Sequence, residues 1–378
     1  MSDDTVPESD RLDGAPHPRA AARLFGQDAA EAAFLGAVAS GKLPHAWLLT
    51  GPRGVGKATF AWRAARFLLA TPPDAGADDM FGAPAPPATL DIAPDHPVAR
   101  RVAALSEPGL FLLRRPWQDK EKRLATQLTV DEVRGLKGFF HLSAAGARRV
   151  VIVDTADEMN ANAANALLKE LEEPPRGAVL FLVSHRPSGL LSTIRSRCRT
   201  LRFGALGAAD LAAALAQAGA EPPKSAALAT LAQGSVGAAM TLAQQGGPQI
   251  YADIAKLLET LPNMDRPLAL RLAAATVGKG REARFDLTLA LLDTALARAA
   301  RVGATGQPLP EIAPGEAATL HRLAPTPSAA RHWADLAQRL TARARQGKAV
   351  NLDPAALIFD IFLDLDRMAA RLRQSEPS

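Results

Sequence analysis

Cysteine is almost missing from this chain: of 378 residues, only Cys198 is one. A single thiol excludes an internal disulfide framework and any all-cysteine zinc site, and it suits a reducing cytoplasm. Long apolar runs are missing too; none approaches the roughly 20 residues needed to span a bilayer. The first residues, MSDDTVPESDRLDG, are acidic and lack an apolar core, so they do not read as a secretory signal. Residues 1–20 are expected to be a disordered tail, and the chain to be cytoplasmic with no membrane contact. A strong charge imbalance is lacking as well. The net charge of +5 permits a nucleic-acid partner without arguing for one.

What is present is an ordinary globular composition, 48% hydrophobic, in a chain long enough for two or three domains. Alternation of short apolar runs with amphipathic stretches continues to about residue 204. LFGQDAAEAAFLGAVASGK reads as a helix, and Ala46 to Leu49 as a short strand. GLFLLRR is a further strand, and TVDEVRGLKGFFHLS a helix. Val150 to Val153 are consecutive apolar residues, mostly β-branched, which suits a buried parallel strand. NAANALLKELEEPP places Ala164, Leu167, Leu168 and Leu171 on one helical face, stopped by Pro174 and Pro175. AVLFLVS is another strand. Such alternation predicts an α/β fold, a parallel sheet with helices on both faces. Beyond Phe203 the pattern is helical, first in short Ala-rich pieces and then in longer stripes such as Phe285, Leu289, Leu292 and Leu296. Residues 71–98, rich in Pro, Ala, Gly and Asp, read as an irregular insertion.

The chemistry concentrates in GPRGVGKAT, Gly51 to Thr59. The spacing G-x-x-x-x-G-K between a strand and a helix is that of a phosphate-binding loop, whose backbone N–H groups wrap phosphates while the lysine holds the terminal ones. Gly51, Gly54, Gly56 and Lys57 are in place. The hydroxyl that would hold magnesium is not, because Ala58 follows the lysine. Thr59 is one residue further, about 100° around the helix, so its hydroxyl points elsewhere. Asp154 ends a buried strand, at the edge of the sheet where α/β ligands gather.

Together LPHAWLLTGPRGVGKAT, NAANALLKELEEPP and STIRSRC resemble the clamp-loader subunits of bacterial DNA polymerase III, in the AAA+ superfamily. The resemblance runs from about Leu24 to Phe203. It implies an AAA+ P-loop domain over 21–204, a small helical lid over 205–247 and an all-helical collar over 248–378 that assembles the oligomer. It also implies partners: gamma/tau and delta subunits in a hetero-pentamer, the sliding clamp, and primed DNA in the assembled complex. By the same resemblance, hydrolysing relatives carry Glu after the strand-end Asp, where this chain has Thr155. Their lid motif G-S-x-R is GSVG here, with Gly237 at the arginine's place. The phosphate-sensing position falls on Ser184. Asp157 and Glu158, three and four residues past Asp154, read as solvated or structural carboxylates.

Phosphoryl transfer rests on positioning and charge stabilisation, so these losses compound and efficient ATP hydrolysis is not expected. Two readings of the loop stay open: it binds ATP without efficient hydrolysis, or it merely caps a helix. The resemblance makes Arg197, in SRC, an arginine finger that reaches a neighbour's γ-phosphate in trans. Many relatives hold a four-cysteine zinc module after the P-loop helix; this chain has no cysteine there, and no zinc is expected. Two rivals are a motor ATPase subunit of the same loader and an autonomous nucleotide kinase. Ala58, Thr155 and Gly237 count against the motor. The kinase would need an intact metal site and would leave LLKELEEPP unexplained.

Overall fold

The computed structural model describes residues 6–12, 14–71, 87–141, 148–221, 226–278 and 281–374. The chain divides into two compact units, Met1–Pro222 with Gln233–Ala238, and Pro223–Ala232 with Ala239–Ser378. Much of the expected insertion, residues 72–86, lies outside the described residues.

The first unit is built on a five-stranded sheet in the order β2-β5-β6-β1-β7. Its strands are β1 (Ala46–Thr50), β2 (Leu110–Leu113), β5 (Arg149–Asp154), β6 (Ala178–Ser184) and β7 (Arg199–Arg202). All pair in parallel. A small antiparallel ribbon, β3 (Trp117–Gln118) with β4 (Arg123–Leu124), lies outside this sheet. The helices are α1 (Asp28–Ala39), α2 (Lys57–Ala70), α3 (Pro97–Ala103), α4 (Val130–His141), α5 (Ala161–Glu172), α6 (Ser192–Arg197) and α7 (Ala208–Gln217).

Both faces of the sheet are covered, so β1 and β6 are buried at every residue and read as unbroken apolar runs. Side chains still alternate. Leu48, Val151, Val153, Leu180 and Leu182 share one core with Leu136, Leu167, Leu171 and Ile194 from α4, α5 and α6. On the opposite side Trp47 and Phe181 meet an aromatic cluster. Phe34 stands edge-on to Trp47 at 5.2 Å and to Phe60 at 5.5 Å, and Phe60 meets Phe203 at 5.4 Å. Such edge-on contacts favour each ring pair beyond simple area burial.

The expected disordered tail needs correction. From residue 6 onward its described residues are folded against the sheet unit. The Asp10 side chain is wholly enclosed and paired with Arg114 at 2.5 Å and His17 at 3.0 Å. Glu8 pairs with Arg19 at 2.6 Å and Arg114 at 2.9 Å. Acidic composition alone predicts solvation. Pairing with an arginine 104 positions away removes that penalty.

The second unit is helical: α8 (Ala226–Ala232), most of α9 (Val236–Gln244), α10 (Gly247–Glu259), α11 (Arg266–Ala274), α12 (Glu282–Thr305), α13 (Glu316–Leu323), α14 (Pro327–Ala349) and α15 (Pro354–Gln374). The long helices α12 and α14 pack side by side. Gly303 allows it, because a Cβ there would lie 3.1 Å from the Ala330 Cβ of α14 and 2.6 Å from the carbonyl oxygen of Ala324, just after α13. Ile358, Ile361, Phe362 and Leu365 form the buried stripe of α15.

One polar knot lies inside this helical unit. The buried Glu316 carboxylate accepts from the Tyr251 hydroxyl at 2.5 Å, Arg298 Nε at 2.7 Å and the Ile312 backbone N–H at 2.6 Å. Removing one member strands the others away from water. Glu316→Ala should therefore lower unfolding free energy by about 3–5 kcal/mol, read from urea denaturation. Exposed Glu259→Ala, the control, should stay within about 0.5 kcal/mol of the parent.

Candidate nucleotide site

The loop between β1 and α2 has the shape its sequence predicts. Gly51 and Gly54 take φ of 143° and 72°. A Cβ on Gly51 would stand 2.2 Å from the Phe203 carbonyl oxygen. One on Gly54 would meet Ser235 Oγ at 2.4 Å and the Gly237 nitrogen at 2.8 Å. Only glycine fits where the chain is left-handed and another backbone comes this close. The Val236 N–H donates to the Gly54 carbonyl at 2.9 Å, so the GSVG turn rests directly on the phosphate loop. Gly56 also takes a positive φ, and a Cβ there would meet Leu24 at 2.8 Å.

Lys57 is turned back on its own loop. Its Nζ donates to the Gly51 carbonyl at 2.6 Å and to that of Pro52. The side chain is nearly enclosed, and burial depresses its pKa to about 8, with Arg53 acting in the same direction and Asp154 and Asp157 against it. Ala58 offers no oxygen. Thr59 is half-buried on the next position of α2.

Asp154 ends β5, buried, and its pKa is pushed up to about 7. Burial is the main cause, the charges of Asp10 and Glu158 add to it, and Lys57 and Arg53 oppose it. Thr155 follows, buried, its hydroxyl without a hydrogen-bond partner among the described residues. Asp157 is spent on structure: it accepts from Ser184 Oγ at 2.7 Å and from the backbone N–H of His185 and of Arg186. Glu158 pairs with Arg115 at 2.8 Å and stands 3.8 Å from Arg53. Ser184 is fully buried, and its proton is given to Asp157, which leaves it no donor for a phosphate. The residues present therefore do not fit a magnesium–nucleotide substrate for hydrolysis. Lysine, serine and aspartate are committed to the protein itself.

Two contributors have no local signature in the sequence. Buried Gln27, just before α1, donates to the carbonyls of Val55 at 3.1 Å and Gly204 at 2.9 Å, and ties the loop to the chain leaving β7. His185 lies past Ser184; burial first, then Lys57 and Arg53, hold its pKa near 4, so it is neutral.

Arg197 stands apart from this cluster, at the end of α6. Its guanidinium pairs with Glu172 at 2.7 Å and donates to the Thr193 carbonyl at 3.0 Å, with 35% of the side chain exposed. Glu172 is the last residue of α5, so the two motifs LLKELEEPP and SRC meet in this ion pair. Asn160 caps α5 by accepting from the Ala163 N–H at 2.9 Å. Cys198 faces the core, its thiol pushed up to about 12 by burial and so unreactive. Arg195 is exposed, and Arg199 lies over the Trp47 ring at 5.3 Å. Among the described residues no group of His, Cys, Asp and Glu could hold a metal ion, and no helix is long and apolar enough to cross a membrane.

A family model described as "DNA polymerase III, delta subunit" matches residues 26–207. Over these residues, just under half of the chain, the protein is similar to that family. It is 43% identical over 157 residues to DNA polymerase III subunit delta′ of Pseudomonas aeruginosa, covering 41% of each chain. It is 30% identical over 162 residues to the delta′ subunit of Bacillus subtilis, covering 43% of each. A gamma/tau subunit of Mycobacterium tuberculosis is 30% identical over 202 residues, 53% of this chain and 31% of that one. The chain thus spans less than half the length of these curated relatives. Its likeness to the delta′ kind exceeds that to gamma/tau. The matched segment holds the whole five-stranded sheet, the phosphate loop and Arg197.

The Asp154 shift has a testable sign. A carboxyl whose folded pKa lies above its unfolded value holds more protons folded than unfolded between the two. Here that window runs from the ordinary 3.8 to about 7, and stability falls as pH rises through it. Asp154→Asn removes the buried charge. It should raise stability at pH 8 by about 1–3 kcal/mol and change it little at pH 4, as thermal melts at the two pH values would read.

Proposed function

We propose that the chain is a delta-prime-type subunit of a DNA polymerase III clamp loader that does not hydrolyse ATP efficiently and that serves a neighbouring ATPase subunit. The observation that carries this reading is the split between two sites on one sheet unit. The phosphate loop keeps its glycines, but its lysine is bound to its own carbonyls and Ala58 follows it. The arginine that would act on another subunit's nucleotide stands partly exposed, held by the Glu172 carboxylate and by oxygens of its own helix. Partners in this reading are gamma/tau and delta subunits, the sliding clamp, and primed DNA within the assembly. The helical residues from 248 onward would form the collar. A motor role needs a metal-holding hydroxyl and a carboxylate at Thr155; neither is there.

In this reading Arg197 is planar, permanently charged and able to span two phosphate oxygens. It would stabilise charge on the phosphoryl group as it transfers in the neighbour's site. The purified chain alone should show no magnesium-dependent ATP turnover above background. Steady turnover near 1 per second, the low end for enzymes, lost in Lys57→Ala, would refute that part.

The assembled loader gives the second test. With all ATP sites disabled except the one beside this subunit, Arg197→Ala should slow hydrolysis by about 10³–10⁵-fold, and Arg197→Lys should not rescue it. Arg195→Ala and Arg199→Ala serve as controls for surface charge. Equal loss in all three alanine variants, or none at Arg197, would remove the finger from the proposal.

A further inference from the structure

The helix α14 carries a charge that it does not balance itself. Its sequence, PSAARHWADLAQRLTARARQGKA, holds four arginines and Lys348 against one acid, Asp335. The helices packed beside it are even: α12 has three residues of each sign, and so has α15. Trp333, Leu336, Leu340 and Ala344 are buried, which turns Arg331, Arg339 and Arg345 outward. At about 100° per residue these three fall within about 120° of the helix circumference. Among the described residues none of the three meets a hydrogen-bond or ion-pair partner. Exposed Gln338, Ala342 and Gln346 fill the face between them, and no exposed side chain there is a large apolar one.

The charge continues into a groove between α14 and α15, a cavity of about 370 Å³. Arg339, Arg343, Arg367 and Arg371 line it, and Asp364 is its one lining carboxylate. Arg343 is committed to the fold: it pairs with Asp364 at 2.8 Å and Asp360 at 2.5 Å, and Arg367 shares Asp364 at 3.1 Å. On each helix the two arginines stand four residues apart, where like charges repel. At Arg339 no carboxylate offsets that repulsion.

We infer that the outer face of α14, with the arginines of this groove, binds the phosphate backbone of duplex nucleic acid. Arg331 to Arg345 span about 21 Å of helix, the length of about six base pairs at 3.4 Å per phosphate of one strand. Guanidinium forks take two phosphate oxygens each, and glutamine amides donate to the same backbone. A protein partner would need apolar or aromatic anchors at the centre of its contact; this face offers only alanine. A single strand would need aromatic rings on which its bases stack; no Phe, Tyr or Trp is exposed here. Contacts to phosphates alone carry no base sequence, so binding is sequence-independent. This goes beyond the proposed clamp-loader role, in which DNA is a partner of the whole assembly. It gives the chain's own helical unit a contact, and it is tested on the chain alone.

The test follows the fluorescence anisotropy of a fluorescein-labelled DNA duplex as the full-length chain is added, between about 50 and 200 mM salt. The parent should bind with Kd of about 10⁻⁶–10⁻⁴ M near physiological salt. The triple variant Arg331→Gln, Arg339→Gln, Arg345→Gln should bind at least about tenfold more weakly, with a slope of log K against log salt shallower by about 2–3. A second triple variant, Arg100→Gln, Arg266→Gln, Arg271→Gln, removes the same charge elsewhere and should keep the parent's slope. All six arginines are exposed, so both variants should keep the parent's far-ultraviolet circular dichroism. If the first does not fold, Arg339→Gln alone decides, with a slope shallower by about 1. No binding by the parent, or equal loss in both triple variants, overturns the inference. So does tighter binding of a single strand than of the duplex. Poly-L-glutamate that displaces the labelled duplex as well as unlabelled duplex does would overturn it too, since the face would then suit an acidic polypeptide. Failure of the chain to assemble with loader subunits would count against the proposed function and leave this binding result as it stands.

Discussion

The arrangement depends on the parallel register of β1 between β6 and β7. Thr50 lies opposite Ser184 on one side and Arg202 on the other. That single level fixes where three chains leave the sheet together: the phosphate loop after Thr50, the turn after Ser184, and the segment after Arg202. The Phe203 N–H donates to the Thr50 carbonyl at 2.8 Å. Its own carbonyl then lies so near Gly51 that no side chain fits there. The loop's glycines are therefore required by packing alone. The shape of the phosphate loop is held in place by its neighbours, apart from any ligand.

Electrostatics near the loop follow from the same convergence. A parallel sheet brings its strand-end polar groups to one edge, here Asp154, Ser184 and, after β2, Arg114. Burying charges without ligand or water is costly, so each must find a protein partner. Lys57 takes two carbonyls, Asp157 takes the turn after β6, and Glu158 takes Arg115. Asp154 finds less: among the described residues it forms no ion pair, and burial raises its pKa instead. Most of these groups are thus paired within the protein.

The sheet, the loop and α5 were legible in the sequence because each has a local signature. A β-branched run marks β5, glycine spacing marks the loop, and Leu167 and Leu171 sit one turn apart before a double proline. Asp154 was placed correctly at the end of its strand for the same reason. The segment from residue 6 to 20 was not legible. Its acidic residues are stabilised by Arg114, a partner just after β2 that no window around them contains. Gln27 escaped for a similar reason, since its value lies in carbonyls 28 and 177 positions away. Ser184 was visible as a strand end, but its commitment to Asp157 depends on where the turn after β5 folds.

The ion pair between Glu172 and Arg197 links the two motifs that local reading could only count separately. α5 ends at Glu172 because Pro174 and Pro175 cannot continue it, and α6 ends at Arg197, before the extended Cys198. Both helices are fixed by the same buried face, Leu167 and Leu171 of α5 with Ile194 and the thiol of Cys198. The core thus sets the position of a charged group that it does not contact. An exposed ion pair of this kind contributes little to stability, about 0–1 kcal/mol. What it supplies is orientation: the guanidinium is held by the Glu172 carboxylate, the Thr193 carbonyl and, at 3.5 Å, the Ser196 hydroxyl, with part of its surface open. Arg298, by contrast, is doubly bonded to the buried Glu316 carboxylate. Arg197 keeps part of its guanidinium open to solvent beside Glu172, while on the same sheet the Lys57 ammonium is bonded to the carbonyls of its own loop.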